Sequence, residues 1–145
     1  MELRFWRPEK KNGIFSNFAY TPLVIEGVEY STAEHFFQAQ KTHDSQEWKG
    51  IVSSPTPSVA KRLGGECHLR PDWEEIKCGV MLQVLREKAV QCLEFRQALI
   101  DTGDMELIEA SPFDSYWGRG LDGKGINKLG EQLMDIRQMI KEGVL

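Results

Sequence analysis

The chain has 145 residues, of which 41% are hydrophobic and 28% are charged; this is enough for one soluble domain with a single sizeable core. Its net charge of −4 argues against a broad basic footprint for nucleic acid, although a local basic groove is still allowed. No apolar run approaches the ~20 residues of a membrane span, and the first residues, MELRFWRPEKK, lack the apolar core of a signal peptide. Three cysteines without a CxxC pair predict reduced thiols in a cytosolic protein.

The predicted elements are mainly helices, with a few short strands between them. Capping residues and a 3.6-residue apolar period predict helices over 32–42, 44–52, 57–64, 73–89, 93–100 and 126–141. The expected N-caps are Ser31, Asp44, Thr56 and Asp72, with Glu75 completing a capping box behind Asp72. Short extended runs predict strands over 2–6 and 105–110, and a hairpin or two extended pieces over 23–30. The expected fold class is therefore mainly α with a few short β-strands (α+β), in one helical domain covering residues 1–145.

The first of these helices carries a stripe of polar side chains. Glu34, Gln38 and Lys41 follow each other at i, i+4 and i+7, so they point the same way. The remaining helix surface is largely apolar, so the helix is expected to be buried. Buried polar groups cost several kcal/mol each unless they pair or face a cavity. We expect these three to face a substrate cavity.

Glu34 itself has two interpretations. It stands three residues after Ser31, so it can fold back onto the Ser31 amide as part of a capping box. Alternatively, the positive end of the helix dipole lowers the pKa of its carboxyl and keeps it ionised. An ionised carboxylate there can act as a general base on water or stabilise a cationic transition state.

The remaining candidates lie in loops or at the start of a helix. The glycines of Gly118–Gly123 match GxGxxG, but no second strand follows, so a dinucleotide fold is rejected and either a phosphate site or a plain turn is left. Asp114, Tyr116 and Trp117 just before them are either surface residues or groups that stack a base and orient a water. Trp73 has the same pair of interpretations. Lys61 is expected to be an ordinary solvated lysine, and the three histidines lack the spacing of a zinc site.

Five segments together resemble the NADAR family, named for NAD and ADP-ribose. They are FSNF at 15–18, TAEHFFQAQK at 32–41, RPDWEEIK at 70–77, TGD at 102–104 and EASPFDSYWGRGLDGKGINKLGEQLM at 109–134. The resemblance covers nearly the whole chain. It implies the mainly helical fold of that family and hydrolysis of an N-glycosidic bond between a ribose and a base-like amine.

The resemblance also implies site residues. Glu34 matches the family's principal catalytic residue, and matching positions carry Asn17, Lys41, Trp73, Asp114 and Trp117. Lys41 suits a family mechanism in which a lysine attacks ribose C1 and forms a Schiff base. We expect Glu34, Lys41 and Asp114 to be catalytic. The expected substrate-binding residues are Asn17, Phe18, Gln38, Trp73, Tyr116, Trp117, Gly118 and Arg119.

Within this hypothesis, Glu34 stabilises an oxocarbenium-like ribose, the indoles of Trp73 and Trp117 stack the leaving base, and the Gly118–Gly125 loop with Arg119 takes the phosphate. No metal or other cofactor is expected. The expected partners are ribosylaminopyrimidine phosphates of riboflavin synthesis or ADP-ribose on guanine in nucleic acid, with no membrane. The alternative is a non-catalytic module that binds ADP-ribose or a nucleotide. Ile14 and Ala89-Val90 depart from the family pattern, which leaves the choice of substrate open.

Overall fold

A computed structural model describes all residues from Met1 to Leu145. The helices are α1 (Ala33–Ala39), α2 (Ser45–Val52), α3 (Pro57–Glu66), α4 (Trp73–Gln91), α5 (Leu93–Asp101) and α6 (Lys128–Lys141). The strands are β1 (Glu2–Phe5), β2 (Leu23–Ile25), β3 (Val28–Tyr30) and β4 (Glu106–Glu109), and one 3₁₀ turn spans Gly13–Phe15. The predicted fold class, mainly helical with a few short strands, is confirmed.

The strands form two separate pairs. β2 and β3 make an antiparallel hairpin whose turn residues Glu26 and Gly27 have φ of 52° and 80°; two positive φ values in succession match the twist of a tight hairpin. β1 pairs in parallel with β4, so that Phe5 lies opposite Glu109. The segments that follow β1 and β4 therefore leave the pair at the same end, although they are far apart in sequence.

α1 lies at the centre of the molecule. All seven of its residues are buried, and it packs against α2, α3 and α4. A helix hidden on every side cannot be stabilised by one apolar face alone, so its polar side chains need partners or a cavity. The surrounding core is one cluster of buried hydrophobic residues that also includes the inner faces of α4 and α6.

The start of α1 differs from the prediction by one residue. Thr32, not Ser31, is the N-cap, and its Oγ1 accepts a hydrogen bond from the backbone N–H of His35 at 3.1 Å. The same hydroxyl lies 2.8 Å from the His35 Nδ1 atom. Serine and threonine are adjacent and both suit an N-cap. His35, which contacts the Thr32 hydroxyl, is itself held 3.0 Å from the Ser54 carbonyl oxygen, and this tertiary contact favours the threonine.

The other helix starts and ends agree in part. Asp44 and Thr56 cap α2 and α3 as predicted. Asp72 precedes α4, but its carboxylate is held by the Arg70 guanidinium at 2.6 and 3.0 Å and makes no cap bond, so the predicted capping box there is wrong. α3 also continues through its glycines to Glu66 instead of ending at them.

α6 begins two residues later than predicted. Asn127 has a left-handed φ of 59° and is buried, because its side chain ties the helix start to β4. Its Oδ1 accepts from the Glu109 N–H, and its Nδ2 donates to the Leu107 carbonyl, both at 2.9 Å. Ile126, the first residue of the predicted helix, is 53% exposed. None of the six helices has the length and apolar character needed to cross a membrane.

Candidate active site

A cavity of about 600 Å³ opens beside α1. Its walls come from α1, α3, α4, the 16–18 loop, the 5–9 segment around the end of β1, the segment that follows β4, and the start of α6. The parallel pairing of β1 and β4 explains why two of these walls are neighbours, since both segments leave the pair at one edge. The cavity has the size usual for a small-molecule site.

Glu34 lies on the cavity wall and is only 7% exposed. Its Oε2 accepts a hydrogen bond of 2.7 Å from Gln38 Nε2, one helical turn further on. Its backbone N–H is already bonded to the Asn17 carbonyl at 3.1 Å. The carboxylate therefore does not fold back onto Ser31, and the capping-box interpretation of Glu34 is wrong.

The pKa of the Glu34 carboxyl is raised, not lowered as the sequence suggested. Removal of the carboxyl from water is the main cause, and it outweighs the hydrogen bond from Gln38 and the attraction of Lys61 and Lys41. At exposed sites the helix dipole stabilises a carboxylate by only a fraction of a kcal/mol. Complete burial can raise the pKa of a carboxyl by several units. Glu34 is therefore a stronger proton acceptor than an ordinary glutamate.

Two lysines face the same cavity. Lys41 is half-buried, and burial lowers the pKa of its amine while the nearby Glu34 raises it in part. Its Nζ lies 5.7 Å from the centre of the Phe37 ring. Lys61 is exposed, as expected for a solvated lysine. It also reaches the cavity from α3, which the sequence did not indicate.

The 16–18 loop supplies an amide and an aromatic ring. Asn17 and Phe18 both line the cavity. Asn17 Nδ2 lies 3.2 Å from Met81 Sδ, whereas its buried Oδ1 has no partner. Gln38 Oε1 is buried without a partner as well. Buried acceptors are rarely left unpaired in native proteins, so these two oxygens are available to hydroxyl or amine donors of a ligand.

Asp114 and Trp117 also line the cavity, from the segment after β4. Asp114 Oδ1 accepts from the backbone N–H groups of Tyr116 and Trp117, at 2.9 and 2.8 Å. This carboxylate therefore fixes the turn that carries the indole. The Trp117 ring packs edge-on against Phe37 at 5.5 Å between centres, which leaves it half-buried.

Four of the predicted binding residues do not line the cavity: Trp73, Tyr116, Gly118 and Arg119. Trp73 is 5% exposed and packs edge-on against Phe37, so it supports Lys41 from behind. The Tyr116 hydroxyl lies 2.9 Å from Cys78 Sγ, and its ring lies under the Lys77 amine at 4.1 Å. The structure places both rings behind or beside the site, not against a ligand.

Arg119 and the glycine loop also lie away from the cavity. The Arg119 guanidinium donates to the Gly125 carbonyl at 2.8 Å and to Glu106 at 3.1 Å. The N–H groups of Gly120 and Gly125 are bonded to Ser111 and Arg119 carbonyls. These N–H groups are thus taken by the loop itself, and the structure does not bring Arg119 or the glycine loop to the cavity.

Gly118 packs closely against Glu109. A Cβ atom at Gly118 would collide with the Glu109 carboxylate, so only glycine fits this position. Gly118 therefore shapes the wall behind the cavity and makes no contact with its interior.

Glu109 is the site residue that sequence reasoning missed. It lines the cavity, is 8% exposed, and accepts a 3.3 Å hydrogen bond from the Ser111 N–H, while its Oε2 is buried without a partner. Burial, with a smaller contribution from Asp114, raises the pKa of its carboxyl to about 7. Alternation along the strand does not single it out, because Leu107 and Ile108 point to opposite faces and both are buried.

No cluster of three or more His, Cys, Asp or Glu side chains is arranged to hold a metal ion. The charged groups of the cavity wall are instead four carboxylic acids and three cations, and the unpaired amide oxygens lie among them. The acids are Glu9, Glu34, Glu109 and Asp114, and the cations are Arg7, Lys41 and Lys61. Such a set can bind hydroxyl groups, stabilise positive charge and move protons.

Comparison with known proteins gives consistent matches. Residues 4–141 match the NADAR domain model. N-glycosidase YbiA from Escherichia coli is 39% identical over 140 residues, covering 95% of this chain and 88% of its own length. An N-glycosidase from Nostoc punctiforme is 35% identical over 97% of this chain and 94% of its own length.

Two further matches extend the comparison to function and fold. A riboflavin biosynthesis protein from Vibrio vulnificus is 35% identical over 95% of this chain but only 38% of its own length. The NMR structure of E. coli YbiA superposes with a TM-score of 0.90 at 38% identity, covering 99% of this chain and 88% of that one.

Proposed function

Since the chain belongs to the NADAR family, we propose that its cavity binds a ribose carrying a base-like amine and that Glu34 drives hydrolysis of the bond between them. The chain is an N-glycosidase, as its named relatives are. The observation that carries the assignment of the site is the position of Glu34. Its carboxylate lies buried on the cavity wall, is held by Gln38 and is flanked by two lysines.

Cleavage breaks the bond between C1 and the base nitrogen, and the bonding electrons leave with the base. Positive charge then develops on C1 and the ring oxygen. An ionised Glu34 stabilises that charge, because a buried carboxylate acts through a low dielectric. The raised pKa of Glu34 then favours transfer of a proton from the attacking water to the carboxylate, which leaves a hydroxyl on C1. Glu34 passes this proton on to the departed base and is ionised again.

Lys41 offers a second route through the same cavity. Its lowered pKa increases the fraction of neutral amine, which is the nucleophilic form. The neutral amine attacks C1, the base leaves with a proton, and the opened sugar forms a Schiff base that water hydrolyses back to free lysine and ribose. In this route Glu34 takes the proton released by the amine and passes it to the departing base.

The other lining residues have supporting roles. The unpaired oxygens of Asn17 and Gln38 accept hydrogen bonds from ribose hydroxyls or from the exocyclic amine of the base. The Trp117 indole stacks on the leaving base, and Asp114 holds the turn that carries this indole. Asp114 keeps one carboxylate oxygen for a ribose hydroxyl or a water, because both of its recorded bonds use Oδ1.

The substrate is one of two kinds. A ribosylaminopyrimidine phosphate of riboflavin synthesis agrees with the names of some relatives. ADP-ribose on a guanine of nucleic acid is the other candidate, and it places the same bond in a larger molecule. The three free cysteines suit a reaction in the reducing cytoplasm.

The alternative is a module that binds ADP-ribose without cleaving anything. It would need the same cavity and the same acceptors, but the buried Glu34 would then carry a desolvation cost without a function. The burial of the Glu34 carboxylate is therefore the observation that favours the enzyme.

The test is a substrate panel with wild-type protein. Aminopyrimidine ribotides and an ADP-ribosylated guanosine oligonucleotide are incubated in H₂¹⁸O, and the released base and the sugar are identified by mass spectrometry. We expect free base and ¹⁸O at C1 from one substrate class. Calorimetric binding of ADP-ribose with no base released from any substrate would instead establish the binding module.

A further inference from the structure

Glu109 is the buried acid of the cavity to which the proposed function gives no part. Its side chain lines the cavity from the end of β4 and is 8% exposed. Its backbone is fixed on both sides, because Asn127 Oδ1 accepts from its N–H and its carbonyl accepts from the Arg119 N–H, both at 2.9 Å. A carboxyl group on a backbone held this firmly can meet a bound molecule without any movement of the chain.

The two buried glutamates of the cavity have different partners. The Glu34 carboxylate accepts a 2.7 Å hydrogen bond from Gln38 Nε2 and is attracted by two lysines, and these contacts favour its charged form. The Glu109 carboxyl accepts only one long bond, 3.3 Å from the Ser111 N–H, and its Oε2 is buried without a partner. Two carboxyls in such unlike surroundings suit opposite proton roles. Glu34 suits the ionised role and Glu109 the protonated one.

The charges that face Glu109 agree with a protonated carboxyl. Burial is the main cause that raises its pKa to about 7, while the Ser111 N–H lowers it, Asp114 raises it and Lys61 lowers it. Glu109 also takes part in no salt bridge. A large share of the molecules therefore carries a proton on this side chain at neutral pH. The other charged side chains of the cavity wall are Arg7, Glu9, Glu34 and Lys41.

The Glu109 carboxyl adjoins the segment that carries the Trp117 indole. A Cβ atom on Gly118 would collide with Glu109 Oε2, so this oxygen lies against the residue that directly follows Trp117. In the proposed function the indole stacks on the leaving base, whereas Glu34 faces the cavity from α1. The carboxyl that lacks partners for its charged form is thus the one beside the place of the base.

We propose that Glu109 is the general acid of the reaction and donates a proton from Oε2 to the nitrogen of the departing base. The proposal rests on the proposed function, which places the base at Trp117 and ribose C1 at Glu34. As the bond between C1 and nitrogen breaks, its electrons stay on the nitrogen, and the Oε2 proton moves to the same nitrogen. The base departs neutral and Glu109 is left ionised. The proton that Glu34 collects then returns through solvent to Glu109, so Glu34 passes its proton to the base by way of Glu109.

A proton donor at this position assists both routes of the proposed function. A base-like amine leaves poorly as an anion, whether water or the Lys41 amine attacks C1. A proton delivered while the bond breaks lowers that barrier, and a donor is most efficient when its pKa lies near the operating pH. Burial brings the pKa of Glu109 into that range.

The test is the pH dependence of base release, measured as kcat/KM between about pH 5 and 9 on the substrate that wild type cleaves. The variants are Glu109→Gln and Glu109→Asp. Glu29→Gln is the matched control, because Glu29 is an exposed glutamate on β3 outside the cavity. Glutamine keeps the size of the side chain but has no proton to give, so we expect a rate about 10²- to 10⁴-fold lower with ADP-ribose affinity retained.

The pH profile separates proton donation from a purely structural role. Wild type should lose rate above about pH 7, where Glu109 loses its proton. This fall should be absent from Glu109→Gln, whereas Glu109→Asp, which keeps an acid, and Glu29→Gln should both show it.

An undiminished rate in Glu109→Gln overturns the general acid, and so does a lower rate that keeps the wild-type fall above neutral pH. A wild-type profile without that fall also overturns it, even if Glu109→Gln does not fold. In each of these cases wild type still releases base, so the hydrolase stands. No base release by wild type from any substrate overturns the hydrolase, and the general acid with it.

Discussion

Glu34 and Glu109 are two acids on the wall of one cavity, and burial raises the pKa of both carboxyls. Neither has a salt bridge, and Glu109 Oε2 has no hydrogen-bond partner. Groups that a protein keeps desolvated at a cost in stability are concentrated at functional sites. The site is therefore marked by buried carboxyl groups without an ion-pair partner, as well as by the contacts that its side chains make.

The pKa of Glu109 makes stability depend on pH with a definite sign. The carboxyl titrates near its ordinary value of 4.5 in the unfolded chain and at about 7 in the folded one. Between these values the folded state holds the extra proton, so this group lowers the free energy of unfolding as the pH rises from about 4.5 to 7, and the full penalty remains above that. Glu109→Gln removes the penalty, so the variant should gain stability relative to wild type across this range, by roughly 1–3 kcal/mol at pH 8.

Thermal melts between about pH 4.5 and pH 8 measure this difference. Glu66→Gln is the matched control, because Glu66 is an exposed glutamate on α3. A stability difference between wild type and Glu109→Gln that stays constant with pH would show that Glu109 titrates as an ordinary carboxyl.

Lys41 is tested by chemical trapping. If its amine attacks C1, sodium borohydride added during turnover should reduce the Schiff base and leave the sugar on the protein, detected as an intact-mass increase. Lys41→Arg should abolish the adduct, since arginine stays protonated. Lys61→Arg is the control from the same cavity and should retain it. Turnover by wild type without any trapped adduct would leave direct attack by water as the route.

At the scale of elements, α4 holds the 16–18 loop in place through one buried lysine. Lys88 is fully buried and donates to the carbonyls of Ile14 and Ser16 at 3.0 and 3.2 Å. Its Nζ lies 4.5 Å from the centre of the Phe95 ring, and it forms no salt bridge. The loop that it holds carries Asn17, whose carbonyl bonds the first turn of α1.

Burial lowers the pKa of Lys88 from 10.5 to about 8. Between these values the unfolded chain binds more protons than the folded one, so this group increases the free energy of unfolding as the pH rises from about 8 to 10.5. Lys88→Met removes that increase. The melting temperature of wild type should therefore rise relative to Lys88→Met between pH 8 and 10, with Lys124→Met, an exposed lysine, as control. A gap that does not change with pH would contradict a buried, titrating amine.

The elements also show which structural features local patterns can predict. The helices were predictable because their signals depend only on residues that are close in sequence. These signals are N-caps such as Asp44 and Thr56 and the apolar period. The inward stripe was predictable for the same reason. Glu34 and Gln38 on α1 line one cavity together with Lys41, which lies two residues beyond the end of this helix. The cap at Thr32 and the late start of α6 were not, because they depend on the contact of His35 with the Ser54 carbonyl and on that of Asn127 with β4, which join residues distant in sequence.

At the scale of the whole molecule, the cavity depends on pairing across most of the chain. β1 and β4 lie about a hundred residues apart, with Glu2 opposite Glu106, and no local pattern in either strand specifies the other. This is why the sequence did not single out Glu109, and why it did not indicate the partners of Arg119. The Arg119 guanidinium donates to the Gly125 carbonyl and to Glu106 at the start of β4, and so holds the loop against this strand.

The central claim is that the buried Glu34 carboxylate hydrolyses a bond to ribose within this cavity. The most direct measurement is the rate of base release by Glu34→Gln on the substrate that wild type cleaves, with ADP-ribose affinity and melting temperature measured on the same preparation. Glutamine keeps the shape and an acceptor oxygen for Gln38 but cannot take a proton, so we expect a rate about 10²- to 10⁴-fold lower with folding and binding retained. Base release at an undiminished rate would contradict the account.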